Sequence, residues 1–265
     1  MDYENHNGVM RSGNIALYNM DCMEALKQTP DKYYDLCIVD PPYGIGMSKG
    51  GNASVIPNKS VNPVFDKKTW DDDRPKQEYF DELQRVSKKQ VIWGGNYFLD
   101  FLGYCKAPVI WDKLNGDSLY ADGEMAWTGG EGIPRNLKIW RHQWCGAFKA
   151  SERGNVNIHP TQKPIALYEW LLVNYAKPGQ RILDTHLGSG SSAIAAHNLG
   201  FDFVGMELDS DYYAAACKRF EQHKRKVHCL CRIRCAMFTN KRIFWKGRQN
   251  DPHIHSKHTT SNRLD

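Results

Sequence analysis

The chain has 265 residues, 41% of them hydrophobic and 25% charged, which is typical of one globular domain with a well-buried core. No apolar run approaches the roughly 18 residues needed to cross a bilayer. The amino-terminal segment also lacks the apolar core and cleavage site of a secretory signal. These features argue against a membrane or secreted protein, so we expect a cytoplasmic protein whose eight cysteines are reduced thiols.

The net charge of +5 is unevenly distributed along the chain. Residues 224–265 contain 11 Lys or Arg against 2 Asp or Glu, whereas residues 1–223 contain 24 against 28. Because the body of the chain is slightly acidic, any contact that it makes with nucleic acid must use local basic patches.

Short apolar runs alternate with segments of helical periodicity. The runs predict five buried parallel strands, at Asp35–Val39, Gln90–Trp93, Val109–Trp111, Arg181–Leu183 and Phe203–Met206. Apolar residues recur at helical spacing in Pro75–Ser87, Pro164–Ala176 and Asp209–His223. This alternation predicts an α/β fold with a doubly wound, mostly parallel sheet.

Three segments lack a sustained period. Residues 44–75 are rich in Gly, Asn, Lys and Asp and are predicted to form a mobile loop. Residues 115–157 are equally irregular but contain several Trp, Arg and Lys residues. Residues 226–265 are predicted to be a disordered basic tail, which leaves a single domain at residues 1–225.

Asp40, Pro41, Pro42 and Tyr43 follow the first predicted parallel strand. A carboxylate and a proline carbonyl can accept hydrogen bonds from an exocyclic amine, since consecutive prolines stiffen the backbone. A tyrosine ring can stack on a base that has left the duplex. Taken alone, the segment is equally compatible with a strand that ends in a Pro-Pro turn.

A glycine turn lies between the last two predicted strands. Asp184 ends the first of these strands, Gly188 and Gly190 follow, and Glu207 ends the second. Glycines allow close approach to a ligand at a helix amino terminus, and the carboxylate of Glu207 could accept hydrogen bonds from ribose hydroxyls. The same spacing fits a dinucleotide-binding fingerprint, so an NAD-dependent dehydrogenase is an alternative at this point.

Two further segments contain candidate site residues. Lys163 follows His159 and precedes a predicted helix, where the helix dipole disfavours a cation unless an anion is nearby. Asp21 precedes the first helix and could simply cap it.

In this order, the segments resemble the beta class of amino-directed DNA methyltransferases. DPPY at 40–43 precedes HPTQKP at 159–164, LDTHLGSGSS at 183–192 and VGMEL at 204–208, a circular permutation of the commoner motif order. The resemblance covers about residues 13–223. WGGNYF at 93–98 further resembles stand-alone phage-type members of that class.

The resemblance implies an S-adenosylmethionine-type methyltransferase fold and a site role for each matching residue. Residues 40–43 would hold a flipped base, and Glu207 would bind the cofactor ribose. Lys163 would bind the methionine carboxylate. The other residues implied at the cofactor are Asp21, His159, Asp184, His186, Gly188 and Gly190. His186 departs from the family, which usually has Phe there, and this departure keeps a catalytically inactive homologue as an alternative.

The resemblance also implies that double-stranded DNA is the substrate, and it is typical of proteins that act in restriction-modification. Aspartate before Pro-Pro-Tyr is associated with adenine N6, and cytosine N4 is the alternative. Cytosine C5 transfer is disfavoured because it needs a thiolate, typically in a Pro-Cys pair that the sequence lacks. We expect a monomer or homodimer that recognises its target through residues 115–157, with Arg135, Lys138 and Arg141 as contacts.

The tail contains three cysteines, and three of its four histidines follow them, at Cys229, Cys231, Cys235, His253, His255 and His258. Their spacing matches no strong zinc pattern, so we expect no metal site.

Overall fold

The computed structural model describes residues 8–46, 68, 71–116, 121–145, 148–152 and 157–226, and every structural statement below concerns these residues. The chain divides into two compact units, Met1–Phe220 and Glu221–Asp265. In the second unit only residues 221–226 are described, and they are helical. Most of the predicted loop at 44–75 and nearly all of the predicted tail lie outside the described residues.

The first unit alternates strands and helices. Its strands are β1 (Val9–Ser12), β2 (Ile15–Asn19), β3 (Leu36–Val39), β4 (Lys89–Trp93), β5 (Val109–Asp112), β6 (Gly123–Gly130), β7 (Lys138–Arg141), β8 (Trp144–Cys145), β9 (Phe148–Lys149), β10 (Arg181–Asp184) and β11 (Asp202–Glu207). Its helices are α1 (Cys22–Gln28), α2 (Gln77–Val86), α3 (Leu99–Leu102), α4 (Ile165–Tyr175), α5 (Ser191–Leu199) and α6 (210–220). All five predicted strands and all three predicted helices are present.

Nine strands form one sheet in the order β1-β2-β11-β10-β3-β4-β6-β5-β7. The five central strands from β2 to β4 pair in parallel, and four of them, β3, β4, β10 and β11, are predicted parallel strands. The fifth predicted strand, β5, lies outside this group, antiparallel to β6 and parallel to β7. β1 is an antiparallel edge strand, and β6 runs antiparallel between β4 and β5. Residues 115–157, which have no clear period, thus contribute β6 and β7 to the main sheet rather than forming a wholly irregular segment.

The sheet is buried on both faces. Alternate residues of β3 point to opposite sides: Leu36 and Ile38 pack with α4, α5 and α6, whereas Cys37 and Val39 pack with α1 and α2. Such two-sided burial explains why the central strands read as short apolar runs in the sequence. The arrangement is the doubly wound α/β sandwich that the sequence predicts.

The winding direction of the chain reverses between β10 and β3. From β3 the chain passes through α2 to β4 on one side, and from β10 it passes through α5 to β11 on the other. In open α/β sheets ligands bind at such a switch point, beyond the carboxyl ends of the strands. The segment at 40–43 follows β3 and the glycine turn follows β10, so the fold brings the two motifs together.

Candidate functional site

Asp40 lies just beyond the carboxyl end of β3, and both oxygens of its carboxylate are engaged. The Tyr43 hydroxyl donates to Oδ1 over 2.6 Å, and the Lys163 ammonium donates to Oδ2 over 2.5 Å. Burial raises the pKa of the Asp40 carboxyl, and the nearby Lys163 offsets part of that effect. The geometry fixes the orientation of the carboxylate and leaves the second lone pair of each oxygen for another donor.

Asp71 holds the backbone of the same corner. Its Oδ1 accepts hydrogen bonds from the amides of Tyr43, over 2.7 Å, and Gly44, over 3.0 Å, and the residue is 2% exposed. A buried carboxylate that accepts two backbone amides sets the position of the chain that carries them. Sequence reasoning missed Asp71, because it falls in the irregular segment at 44–75.

Lys163 immediately precedes Pro164, the N-cap of α4, and its side chain is 4% exposed. Its ammonium contacts Asp40 and also Glu124 of β6, whose Oε2 lies 3.2 Å away. Although burial lowers the pKa of Lys163, the two carboxylates raise it above its ordinary value, so the side chain is a cation. Glu124 is a second site residue that sequence reasoning missed.

A cavity of about 570 Å³ lies beyond the ends of β10, β11 and β3. Eight of the predicted site residues line it: Asp21, Asp40, Pro42, His159, Lys163, His186, Gly188 and Glu207. Asp21 also caps α1 by accepting a hydrogen bond from the amide of Met23, so its capping and cavity positions are compatible.

Glu207, at the end of β11, is anchored by the backbone around it. Its carboxylate accepts hydrogen bonds from the amides of Gly188, over 2.8 Å, and Asp209, over 3.0 Å. Burial raises its pKa above the ordinary value. Gly188 adopts a φ of +50°, a conformation that favours glycine, so the turn after β10 can approach Glu207 closely.

Asp184 and Gly190 are not among the described residues that line this cavity. They support the glycine turn that does line it. Asp184 is 1% exposed and accepts hydrogen bonds from the Ser192 hydroxyl and the His186 amide. Burial raises its pKa to about 7. Gly190 is the N-cap of α5 with a φ of +73°, and an added Cβ would lie 3.3 Å from Ala216 of α6. Both residues therefore stabilise the conformation of the turn between β10 and α5.

Two histidines of the cavity wall are uncharged near neutral pH. Burial lowers the pKa of His186 to about 4, and burial together with Lys163 lowers the pKa of His159 to about 3. His186 packs edge-on against Tyr79, with ring centroids 5.4 Å apart, and His159 packs in the same way against Tyr212 at 4.4 Å. At position 186 the imidazole therefore presents a neutral ring.

A second cavity, of about 600 Å³, adjoins the first. Its lining includes all four residues of the 40–43 segment together with Tyr97, Lys113 and Glu124. Asp40, Pro42, Thr161 and Lys163 line both cavities. Asp40 therefore stands at the wall that the two cavities share.

The Tyr43 ring lies in a narrow slot of the second cavity. It stacks on Tyr97 with ring centroids 5.1 Å apart and meets Phe98 edge-on at 6.0 Å. Gly94, which has a φ of +70°, allows this position, because an added Cβ would lie 2.5 Å from Tyr43 Cδ1 and closer still to Cε1. The segment WGGNYF thus contributes a glycine and two aromatic rings around Tyr43.

The three predicted DNA contacts do not share one surface of the sheet. Lys138 and Arg141 both lie on edge strand β7, where side chains alternate, so they point to opposite faces. The register pairs Ile110 with Ile139. Arg141 therefore shares the face of Ile110, a lining residue of the second cavity, whereas Lys138 does not. Arg135 is exposed before β7.

The charge of the first cavity favours a cation. Its lining contains four carboxylates, from Asp21, Asp40, Glu207 and Asp209, against two lysines, Lys68 and Lys163. Lys68 is itself paired with Asp209. A ligand that carries a sulfonium and an ammonium suits these acidic surroundings, whereas the carboxylates would repel the pyrophosphate of a dinucleotide. The residues present therefore fit S-adenosylmethionine better than NAD.

Within the described ranges, no three His, Cys, Asp or Glu side chains are grouped to hold a metal ion. Nor does any described helix combine the length and hydropathy needed to cross a membrane. The Cys and His residues of the tail lie outside the described residues.

Comparisons with known proteins find similarity to DNA methyltransferases. The DNA methylase family N6_N4_Mtase matches residues 134–218. The type II methyltransferase M.ScaI of Streptomyces caespitosus is 24% identical over 82% of this chain and 84% of its own length. M.HinfI of Haemophilus influenzae is 26% identical over 77% of this chain and 67% of its own length.

Solved structures share the fold. The PvuII DNA methyltransferase (cytosine-N4-specific) superposes with a TM-score of 0.53 at 14% identity, covering 83% of this chain and 94% of its own. The M1.HpyAVI–SAM complex superposes with a TM-score of 0.50 at 24% identity, covering 77% of this chain and 99% of its own.

Proposed function

We propose that this chain, which belongs to the N6/N4 family of DNA methylases, transfers a methyl group from S-adenosylmethionine to the N6 amine of adenine in double-stranded DNA. One observation carries the proposal. Asp40 lines both the acidic cavity at the glycine turn and the cavity around Tyr43, so one carboxylate borders two ligand-sized spaces.

The acidic cavity is the proposed cofactor site. Glu207 would accept hydrogen bonds from the ribose hydroxyls, and Gly188 leaves room for the ligand near the helix amino terminus. Asp21, His159 and His186 would form further walls, with Asp184 and Gly190 supporting the turn. S-adenosylmethionine, when bound, supplies the methyl group.

The second cavity is the proposed base site. An extruded base would stack against the Tyr43 ring, which offsets part of the few kcal/mol needed to unstack it from the duplex. Asp40 and the Pro41 carbonyl would accept hydrogen bonds from its amine and so direct the nitrogen lone pair towards the shared wall. When the amine gains the methyl group it would lose one proton, which the Asp40 carboxylate would accept or pass to solvent. Positioning supplies most of the acceleration.

Aspartate before Pro-Pro-Tyr is the support for adenine N6 over cytosine N4. Both amines would present two protons to the same acceptors, so the proposed mechanism is shared. Modified-base sequencing of DNA from cells that express the protein would distinguish the two products, and it would also identify the target sequence.

We further propose that residues 115–157 contain the target-recognition surface. Its exposed basic residues, Arg135 and Arg141, support contact with phosphates or guanine edges. The protein would act in the cytoplasm as a monomer or homodimer, and the basic tail would add non-specific attraction to DNA.

The direct test is Asp40→Ala, assayed with tritiated S-adenosylmethionine and genomic DNA from a methylation-deficient bacterium. We expect methyl transfer to be lost while S-adenosylmethionine binding, measured by calorimetry, stays within about three-fold. Asp31→Ala is the matched control, because Asp31 makes only an exposed ion pair with Arg85. Full activity of Asp40→Ala would remove Asp40 from the mechanism, and an inactive wild-type chain would refute the proposed function.

A further inference from the structure

Glu124 is a partly buried carboxylate, with 23% of its side chain exposed, that belongs to none of the sequence motifs. It lies near the start of the antiparallel strand β6, where the register pairs it with Trp111 of β5. Its side chain lines the proposed base cavity beside the 40–43 segment. β6 thus brings a negative charge to the lining of this cavity.

Two lysines hold this carboxylate. Oε1 of Glu124 lies 2.5 Å from Lys113 Nζ, and Oε2 lies 3.2 Å from Lys163 Nζ, an ion-pair contact that is not an aligned hydrogen bond. Although burial raises the pKa of Glu124, Lys163 and Lys113 together lower it to about 2. Glu124 is therefore ionised throughout the neutral range.

The Lys163 ammonium lies among oxygen atoms of three other side chains. Besides Glu124, its Nζ lies 2.5 Å from Asp40 Oδ2 and 3.3 Å from the Tyr43 hydroxyl oxygen. Two of these oxygens, from Asp40 and Tyr43, accept hydrogen bonds from the ammonium, and the third belongs to its ion-pair partner Glu124. The contacts therefore direct Lys163 towards the 40–43 segment and β6.

The four charged groups alternate in sign along a chain of contacts: Lys113, Glu124, Lys163 and Asp40. Their net charge is zero. Removal of the Glu124 charge would leave one excess positive charge beside the proposed base cavity. It would also free Lys163 to rotate away from Asp40, because one of its two carboxylate partners would be gone.

We propose that Glu124 is a positioning residue of the methyl-transfer site: it holds the Lys163 ammonium against Asp40, so that the Asp40 carboxylate meets the target amine in one orientation. This inference rests on the proposed function and goes beyond it in two respects. It makes strand β6 part of the active site, and it assigns Lys163 to the orientation of Asp40 rather than to the methionine carboxylate.

The test is Glu124→Gln, which keeps the shape of the side chain and removes its charge. We expect kcat for methylation of methylation-deficient genomic DNA to fall about 10- to 100-fold, the range for loss of an interaction with a charged group. The dissociation constant for S-adenosylmethionine should change less than about three-fold, because Glu124 does not line the cofactor cavity. The midpoint of thermal unfolding should stay close to that of the wild type.

Two further variants make the test specific. Glu131→Gln is the matched control, because Glu131 follows β6 directly and is exposed, and it should retain the kcat of the wild type. Glu124→Asp restores the charge on a side chain one methylene shorter. It should recover part of the kcat that Glu124→Gln loses, which loss of packing alone would not predict.

The outcomes separate the two proposals. Wild-type activity in Glu124→Gln would overturn the role of Glu124 and leave the proposed function standing. So would a parallel loss of kcat, cofactor affinity and thermal stability, since that pattern indicates a structural role only. Absence of methyl transfer by the wild-type chain would refute the proposed function, and this inference with it.

Discussion

Gly94→Ala should displace the Tyr43 ring and so lower kcat/KM for DNA methylation, without affecting the cofactor cavity. Gly94 has φ +70° and ψ +23°, and the Tyr43 ring occupies the position that a Cβ of residue 94 would take. The ring also packs against Tyr97 and Phe98. A methyl group at this position would have to share the space that the ring occupies.

The size of the effect follows from two terms. The left-handed backbone conformation costs an alanine about 1–2 kcal/mol. In addition, the new Cβ would lie 2.5 Å from Tyr43 Cδ1, whereas carbon atoms pack at about 3.5–4.0 Å, so the ring must move by about 1 Å or more. A displacement of about 1 Å at a reacting centre can cost about 100-fold in rate. We therefore expect kcat/KM for DNA to fall about 100-fold.

Gly200→Ala is the matched control. Gly200 has φ +74° and ψ +28°, nearly the same backbone conformation, but an added Cβ there meets nothing within 4 Å. Gly200→Ala should lose only the stability that the left-handed backbone costs an alanine in urea unfolding, and only Gly94→Ala should lose activity in the tritium-transfer assay. Equal activity in the two variants would refute the reasoning that the position of the Tyr43 ring limits the reaction.

Three further outcomes are expected. Asp71→Ala removes the acceptor of two buried backbone amides, so the free energy of unfolding in urea should fall by about 2–5 kcal/mol; a loss below about 1 kcal/mol would contradict this. His186 is buried uncharged with a pKa of about 4 against 6.5, so its contribution to stability is complete above pH 6.5 and is lost as the pH falls towards 4. The wild type should therefore lose about 3 kcal/mol more than His186→Phe in urea unfolding between pH 7 and pH 4, and equal losses would exclude this role. Arg141→Ala should reduce the salt dependence of DNA binding by about one unit of slope in a fluorescence titration, and Lys138→Ala, on the opposite face of β7, should not.

The regular elements of the core were predictable because their burial leaves a local pattern. β3, β4, β5, β10 and β11 are short apolar runs, and α2 and α4 repeat apolar residues at helical spacing. Strand β6 escaped prediction because three glycines and polar residues interrupt its sequence, GEMAWTGG. Its antiparallel place between β4 and β5 depends on pairing with distant residues, which no local window contains.

The sequence predicted the motifs of the site but not the contacts that other side chains make with them. The 40–43 segment, the glycine turn and Glu207 were found because each pairs a strand end with an unusual residue type. Asp71 and Glu124 were missed, since each is a single carboxylate in an irregular segment. The one available signal for Glu124 was a charge at the start of the apolar run EMAW at 124–127.

The amino-acid sequence by itself determined the winding of the fold and the identity of the two motifs, because burial periodicity and motif chemistry are properties of neighbouring residues. Only the tertiary structure decided that Lys163 contacts Asp40, Tyr43 and Glu124 together. Those partners are far from Lys163 in the chain and meet only where the ends of β3 and β6 lie beside the start of α4. An ammonium in such a place interacts with whichever oxygens the fold brings within reach.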